Sequence, residues 1–319
     1  MHSWLRRAGL GRVLYDVYHA PLGAVRNSIA AGGPVEQWRT ANGRRAMERA
    51  ARTLPPPSAS ETSAVVEVHV LTGRRFWYQT AFCLWTFAQT SRRRVAPVVI
   101  DDGSLSPAHF AAIARLFPTA QLVSETATLD RLDRVLPATR FPTLRARRLV
   151  FPLLRKLVDV HAGLTGWRLF LDSDMLFFRQ PALLLRWLDH PEVPLRATDV
   201  ENAYGYPLSL LSELAECAVD EKVNTGILGL RGEAIDWARM EYWCRALIER
   251  AGTHYYQEQA LVALLLAGQP HIAAPIEEYV TLPQPPEADA CRAVMHHYVA
   301  GSKRCYFQRN WRRAIERLA

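Results

Sequence analysis

Asp172 and Asp174 flank a single serine in the run Leu169-Phe170-Leu171-Asp172-Ser173-Asp174-Met175-Leu176-Phe177-Phe178. The apolar residues on both sides are poor company for a solvated acidic turn and draw the two carboxylates towards the interior. Burying such a pair is costly unless something neutralises it. A divalent cation does so, because hard cations take carboxylate and phosphate oxygens together. An Asp-x-Asp triplet alone is common, and its weight here comes from the apolar strand it terminates. Two further polar clusters, Thr72-Gly73 and Asp101-Asp102-Gly103-Ser104, also follow apolar, β-branched runs.

The elements that must position these groups follow from periodicity and punctuation. Residues 64–71, 95–100, 120–123 and 168–171 read as strands. Residues 76–90 and 107–117 read as helices, and 143–158 as one amphipathic helix. Strands alternating with helices imply crossover connections and an α/β sheet. In such sheets ligands bind beyond the carboxyl ends of the strands, where the three polar clusters fall.

The 319 residues suffice for one large or two small domains. A proline-rich linker, Leu54-Pro55-Pro56-Pro57-Ser58-Ala59-Ser60, divides a basic helical arm over 1–62 from a main domain over 63–319. The arm reads as two helices broken near Pro21 and Gly32-Gly33-Pro34. Its apolar face of Trp4, Leu5, Leu10, Val13, Leu14 and Val17 would pack on the domain or lie on a membrane. The formal net charge is +8, with arginines gathered near both ends. Without a helix-turn-helix or RNA-binding sheet signature, that charge suits an anionic membrane surface better than nucleic acid. The five cysteines, at 83, 217, 244, 291 and 305, form no CxxC pair. That argues for a reducing cytosol, with peripheral attachment at the inner membrane face as the further expectation. No apolar run is long enough to span a bilayer, and Met1 to Ala20 has no secretory leader pattern.

The acid pair in its apolar frame resembles the DXD motif of GT-A glycosyltransferases, the nucleotide-diphospho-sugar transferase superfamily. Further segments, in the same chain order, are similar to its glycogenin-like branch. Arg147 and Lys156 precede the acid pair as that branch's donor-binding arginine and lysine do. Asn224-Thr225-Gly226 resembles its Asn-(Ala/Ser)-Gly element. Glu258-Gln259 resembles its Asp-Gln pair, with glutamate where aspartate is usual. His297 and Lys303 match its metal-ligating histidine and phosphate-binding lysine, although the glycine between them is displaced and the usual Pro-Trp after the lysine is missing. Asp101-Asp102-Gly103-Ser104 is similar to the nucleoside-binding segment of inverting family-two enzymes.

The resemblance covers roughly 64–310. It implies an α/β fold, a GT-A type Rossmann-like mixed sheet flanked by helices. It also implies a metal-dependent transferase that uses a nucleotide-diphosphate sugar, UDP-linked by preference, and Mn²⁺ or Mg²⁺. Asp172, Asp174 and His297 would hold the metal. Thr72, Asp101, Asp102, Arg147, Lys156, Asp172 and Lys303 would bind the donor. Asn224, Glu258 and Gln259 would serve the sugar and acceptor, with retention favoured over inversion. The acceptor, a saccharide, lipid or protein, is not legible. A sugar nucleotidyltransferase would need a glycine-rich loop after the first strand, where this chain has Gly73 alone. A non-catalytic nucleotide-sugar-binding or membrane-surface scaffold on the same fold is the alternative function.

Overall fold

The computed structural model describes residues 33–58 and 64–318. The apolar face expected between Trp4 and Val17 and the break at Pro21 lie outside them. The chain opens with α1 (Gly33–Ala51) and continues through β1 (Val65–Thr72), α2 (Trp77–Ser91), β2 (Arg94–Asp101), α3 (Pro107–Leu116) and β3 (Gln121–Val123). Next come α4 (Glu125–Val135), α5 (Pro142–Val150), α6 (Arg155–His161), β4 (Trp167–Leu171) and β5 (Met175–Phe177). The later elements are α7 (Ala182–Asp189), β6 (Leu195–Thr198), α8 (Leu208–Ala215), β7 (Val223–Arg231), α9 (Trp237–Ala251) and α10 (Gln257–Leu266). The chain closes with β8 (Ile272–Ala273), β9 (Tyr279–Thr281), α11 (Pro285–Ala290), β10 (Met295–His297) and α12 (Trp311–Leu318). Among the described residues no helix is long and apolar enough to cross a membrane.

Seven strands form a mixed sheet in the order β3-β2-β1-β4-β7-β6-β8. β3, β2, β1 and β4 run parallel, whereas β7 is antiparallel to both β4 and β6. A second sheet, β5-β10-β9, holds the segment just after the acid pair against the chain's later part. Strand alternation sends side chains to two cores. Val66, Val68 and Val70 of β1 and Leu169 and Leu171 of β4 face one, with α2, α7 and the C-terminal helices. Phe170 of β4 and Leu228 and Leu230 of β7 face the other, under α5, α6, α9 and α10.

The strands and first two helices expected from the sequence stand within a residue or so of their predicted bounds. The helix expected over 143–158 does not form as one piece. Proline has no N–H to donate, its ring crowds the carbonyl four residues back, and it pushes the preceding residue to extended backbone. Phe151 is extended at φ −132° and ψ 91°, ending α5, and a 3-10 turn over Pro152–Leu154 leads into α6. Arg147 and Lys156 therefore sit on different helices. Asn224-Thr225-Gly226, whose sequence alone would suit a turn, lies inside β7.

α1 packs against α2 and the segment Tyr306–Asn310, and its Met47 and Ala51 belong to the same core as β1 and β4. Residue 43 on its inner face is glycine because an added Cβ would lie 2.1 Å from the Phe307 carbonyl oxygen.

Candidate metal and nucleotide-sugar site

β4 ends at Leu171, and the chain turns through Asp172-Ser173-Asp174 into β5. That turn is pinned from two sides: the Asp172 N–H donates to the Gly226 carbonyl of β7 at 2.8 Å, and the Tyr298 N–H donates to the Asp174 carbonyl at 2.9 Å. β10 pairs antiparallel with β5 in a register that sets His297 opposite Met175. The imidazole thus arrives beside the acids: its Nε2 is 3.2 Å from Asp174 Oδ1 and 3.6 Å from Asp172 Oδ2. One potential ligand atom from each of Asp172, Asp174 and His297 fits within 4.8 Å of the others. The ring lies against Gly226, where an added Cβ would come within 2.5 Å of His297 Cε1.

Two lysines close on the acids. Lys156 Nζ of α6 is 2.6 Å from Asp172 Oδ2, and Lys303 Nζ is 3.0 Å from Asp174 Oδ2. Burial opposes the charge on Lys156, but Asp172 and then Glu258 hold its pKa above the ordinary lysine value. Burial likewise opposes the charge on Asp174, yet the His297 hydrogen bond and the Lys303 ammonium keep its carboxyl well below the usual range.

β7 and the first turn of α10 form the adjoining wall. Asn224 Nδ2 and Gln259 Nε2 both donate to Asp199 Oδ2, at 2.8 and 3.2 Å. Thr225 Oγ1 donates to Glu258 Oε2 at 2.8 Å. Glu258 is buried and its Oε1 has no hydrogen-bond partner. Burial pushes its pKa up to about 7, against the pull of Lys156 and the Thr225 hydrogen bond.

At the other end, Thr72 closes β1, and its hydroxyl accepts from Thr80 Oγ1 at 2.8 Å. Its carbonyl accepts from the Asp102 N–H at 2.9 Å. Asp101 Oδ1 accepts from the N–H groups of Gly103 and Leu105, and Asp102 Oδ1 from the N–H and hydroxyl of Ser104. Arg155, beside Lys156, donates to the Asp102 carbonyl at 2.7 Å and ties this loop to α6. Arg147 is engaged elsewhere: its Nε donates to Gln257 Oε1 at 2.8 Å and its guanidinium lies over Phe151. It thus braces α5 against α10 and pairs with neither aspartate of the triplet.

No protein-family model and no curated protein matches the chain. Solved structures do. The galactosyltransferase LgtC, in complex with donor and acceptor sugar analogues, superposes with a TM-score of 0.52 at 13% identity, over 79% of this chain and 95% of that one. The bifunctional glycosyltransferase WbbM follows at 0.48 and 13% identity, over 82% of this chain and 53% of that chain. Mouse xyloside xylosyltransferase 1 also gives 0.48, at 10% identity, over 73% and 97%. The chain has the GT-A glycosyltransferase fold. At such identities the likeness is one of fold, and function has to be argued from the site.

The GT-A fold here carries a donor set suited to a divalent cation. Two carboxylates and one imidazole come together there, all hard or borderline ligands.

Asp199, Thr225 and Arg155 were not among the site residues expected from sequence. Asp199 follows the strand Leu195-Arg196-Ala197-Thr198, in which an arginine and a threonine break up any apolar run.

Proposed function

We propose that this chain is a metal-dependent glycosyltransferase that moves a sugar from a nucleoside-diphosphate donor, UDP-linked by preference, to a separate acceptor. The observation that carries the reading is the convergence of Asp172, Asp174 and His297 within 4.8 Å at the carboxyl end of β4 in a GT-A fold. Asp172, Asp174 and His297 would hold Mn²⁺ or Mg²⁺, which supplies charge neutralisation for the diphosphate. Lys156 and Lys303 add positive charge where the leaving group becomes more negative, a form of electrostatic stabilisation that is often the largest catalytic contribution. The loop Asp101–Ser104 with Thr72 would hold the nucleoside, and Arg147, through Gln257, would keep the α10 end of the donor wall in place.

Asn224, Glu258 and Gln259 would position the sugar, with Asp199 orienting the two amides. An amide that spends its N–H on Asp199 is fixed in direction and presents its remaining groups to hydroxyls reproducibly. Glu258, with a pKa near 7, is the group able to exchange a proton at neutral pH. Its burial and its bond to Thr225 suit orienting the donor better than meeting an acceptor from solvent, which favours retention.

The test is release of nucleoside diphosphate from a panel of nucleotide sugars, with Mn²⁺ and with EDTA. Metal-dependent release from one UDP-sugar, reduced at least about a hundredfold in Asp174→Ala, is expected. Product configuration, read by NMR, decides between retention and inversion. Donor binding with metal but no turnover, even with candidate acceptors, would instead favour a binding scaffold.

A further inference from the structure

We propose that Lys303 is an exchangeable counter-ion of the cation site, so that metal ion and nucleoside diphosphate bind with strong positive coupling; this deepens the glycosyltransferase reading and rests on it. The two carboxylates that would take the cation already face two ammonium groups, Lys156 at 2.6 Å and Lys303 at 3.0 Å. The two lysines are not equivalent. Lys156 lies buried on α6 and is also drawn by Glu258. The Lys303 side chain is 37% exposed, at a short turn that follows β10 and passes through Ala300 at φ 43°. Lys303 thus has solvent into which it can turn, whereas Lys156 is enclosed.

A divalent cation that shares Asp174 with Lys303 lies a few ångströms from a positive charge in a largely buried site. Repulsion at that range is strong, so the cation alone must either tolerate the ammonium or displace it into solvent without a partner. A diphosphate removes the conflict, because its oxygens give the ammonium a new anionic partner. The anion also gains from the cation. By linkage, the factor by which the nucleotide tightens metal binding equals the factor by which metal tightens nucleotide binding. Lys156, enclosed against Asp172, adds the same background charge in both states and is not itself exchanged.

The experiment is titration of the full chain with Mn²⁺, followed by electron paramagnetic resonance of the free ion, with and without UDP. Lys303→Met keeps the stem and removes the charge. It is expected to tighten Mn²⁺ binding without UDP about tenfold and to shrink the enhancement by UDP by a similar factor, within the usual range of coupling. Lys303→Arg, which keeps the charge, is expected to retain the wild-type coupling. Unchanged or weaker Mn²⁺ binding by Lys303→Met in the absence of UDP would overturn the proposal. Asp174→Asn separates the two levels of argument. If it loses Mn²⁺ while Lys303→Met changes nothing, only the counter-ion role falls. If the wild-type chain binds no Mn²⁺ with or without UDP, the cation site falls with it.

Discussion

Glu258 is a site carboxyl that its surroundings carry into the neutral pH range. Its carboxyl is buried, with one oxygen held by Thr225 and the other without a partner, and burial raises its pKa from an ordinary 4.5 to about 7. A carboxyl raised in the folded state stabilises the fold fully below the unfolded pKa, and that contribution disappears as pH rises through the folded value. For Glu258 the window runs from about pH 4.5 to somewhat above 7, and complete ionisation costs on the order of 3 kcal/mol. Glutamine keeps the acceptor for Thr225 and cannot ionise. In metal-free buffer, the melting temperature of Glu258→Gln relative to wild type is therefore expected to rise between pH 5 and 8; curves that stay parallel would disprove the shift. The place of this residue was legible, because Glu258-Gln259 opens an apolar helix. Its environment was not, since Thr225 and Asp199 arrive from strands that only the folded sheet brings near. The Asp172–His297 convergence had a clearer trace: an acid pair closing an apolar strand, then a histidine and lysine six residues apart.

At the scale of elements, the break at Pro152 shows what periodicity conceals. Residues 143–158 carry a continuous helical pattern, but the proline turns the chain and redirects Lys156 towards Asp172 while leaving Arg147 on Gln257. The two halves are fastened again by Arg148 of α5. Its guanidinium, fully buried, makes two hydrogen bonds to Asp159 of α6, at 2.6 and 2.8 Å, and two to Glu125 at the start of α4. Among the five arginines of 140–155, only the folded structure singles out this one as interior. Removing one member of such a buried group strands the other's charge, which typically costs about 3–5 kcal/mol. Arg148→Met is expected to destabilise the chain by that order in urea titration, and Arg148→Met/Asp159→Leu to recover much of it. A loss below about 1 kcal/mol for the single variant, the level of an exposed ion pair, would mean the network does not hold α4, α5 and α6 together.

Over the whole molecule, the linker near residue 55 suggested a separate arm, whereas α1 shares the core beneath β1 and touches the segment that continues from Lys303 to α12. The alternating strands, the switch to antiparallel pairing aside, made the main sheet readable. The packing of α1 was not readable, because the segment it contacts most lies over 250 positions later, as in the bond from Gln308 Nε2 to Thr40 Oγ1. Gly43 is the point of closest approach. Alanine in a helix interior normally stabilises by about 0.5–1 kcal/mol relative to glycine. Here its Cβ would meet the Phe307 carbonyl oxygen at 2.1 Å and backbone, not a pliable side chain, has to yield. Overpacking of this kind costs about 1–3 kcal/mol, so the steric cost outweighs the helical gain. Gly43→Ala is expected to lower the melting temperature by roughly 2–6 °C. Because Phe307 lies four residues beyond Lys303, the same variant should also weaken the enhancement of Mn²⁺ binding by UDP. A stabilised variant with unaltered coupling would show that α1 rests on the domain without constraining the turn that carries Lys303.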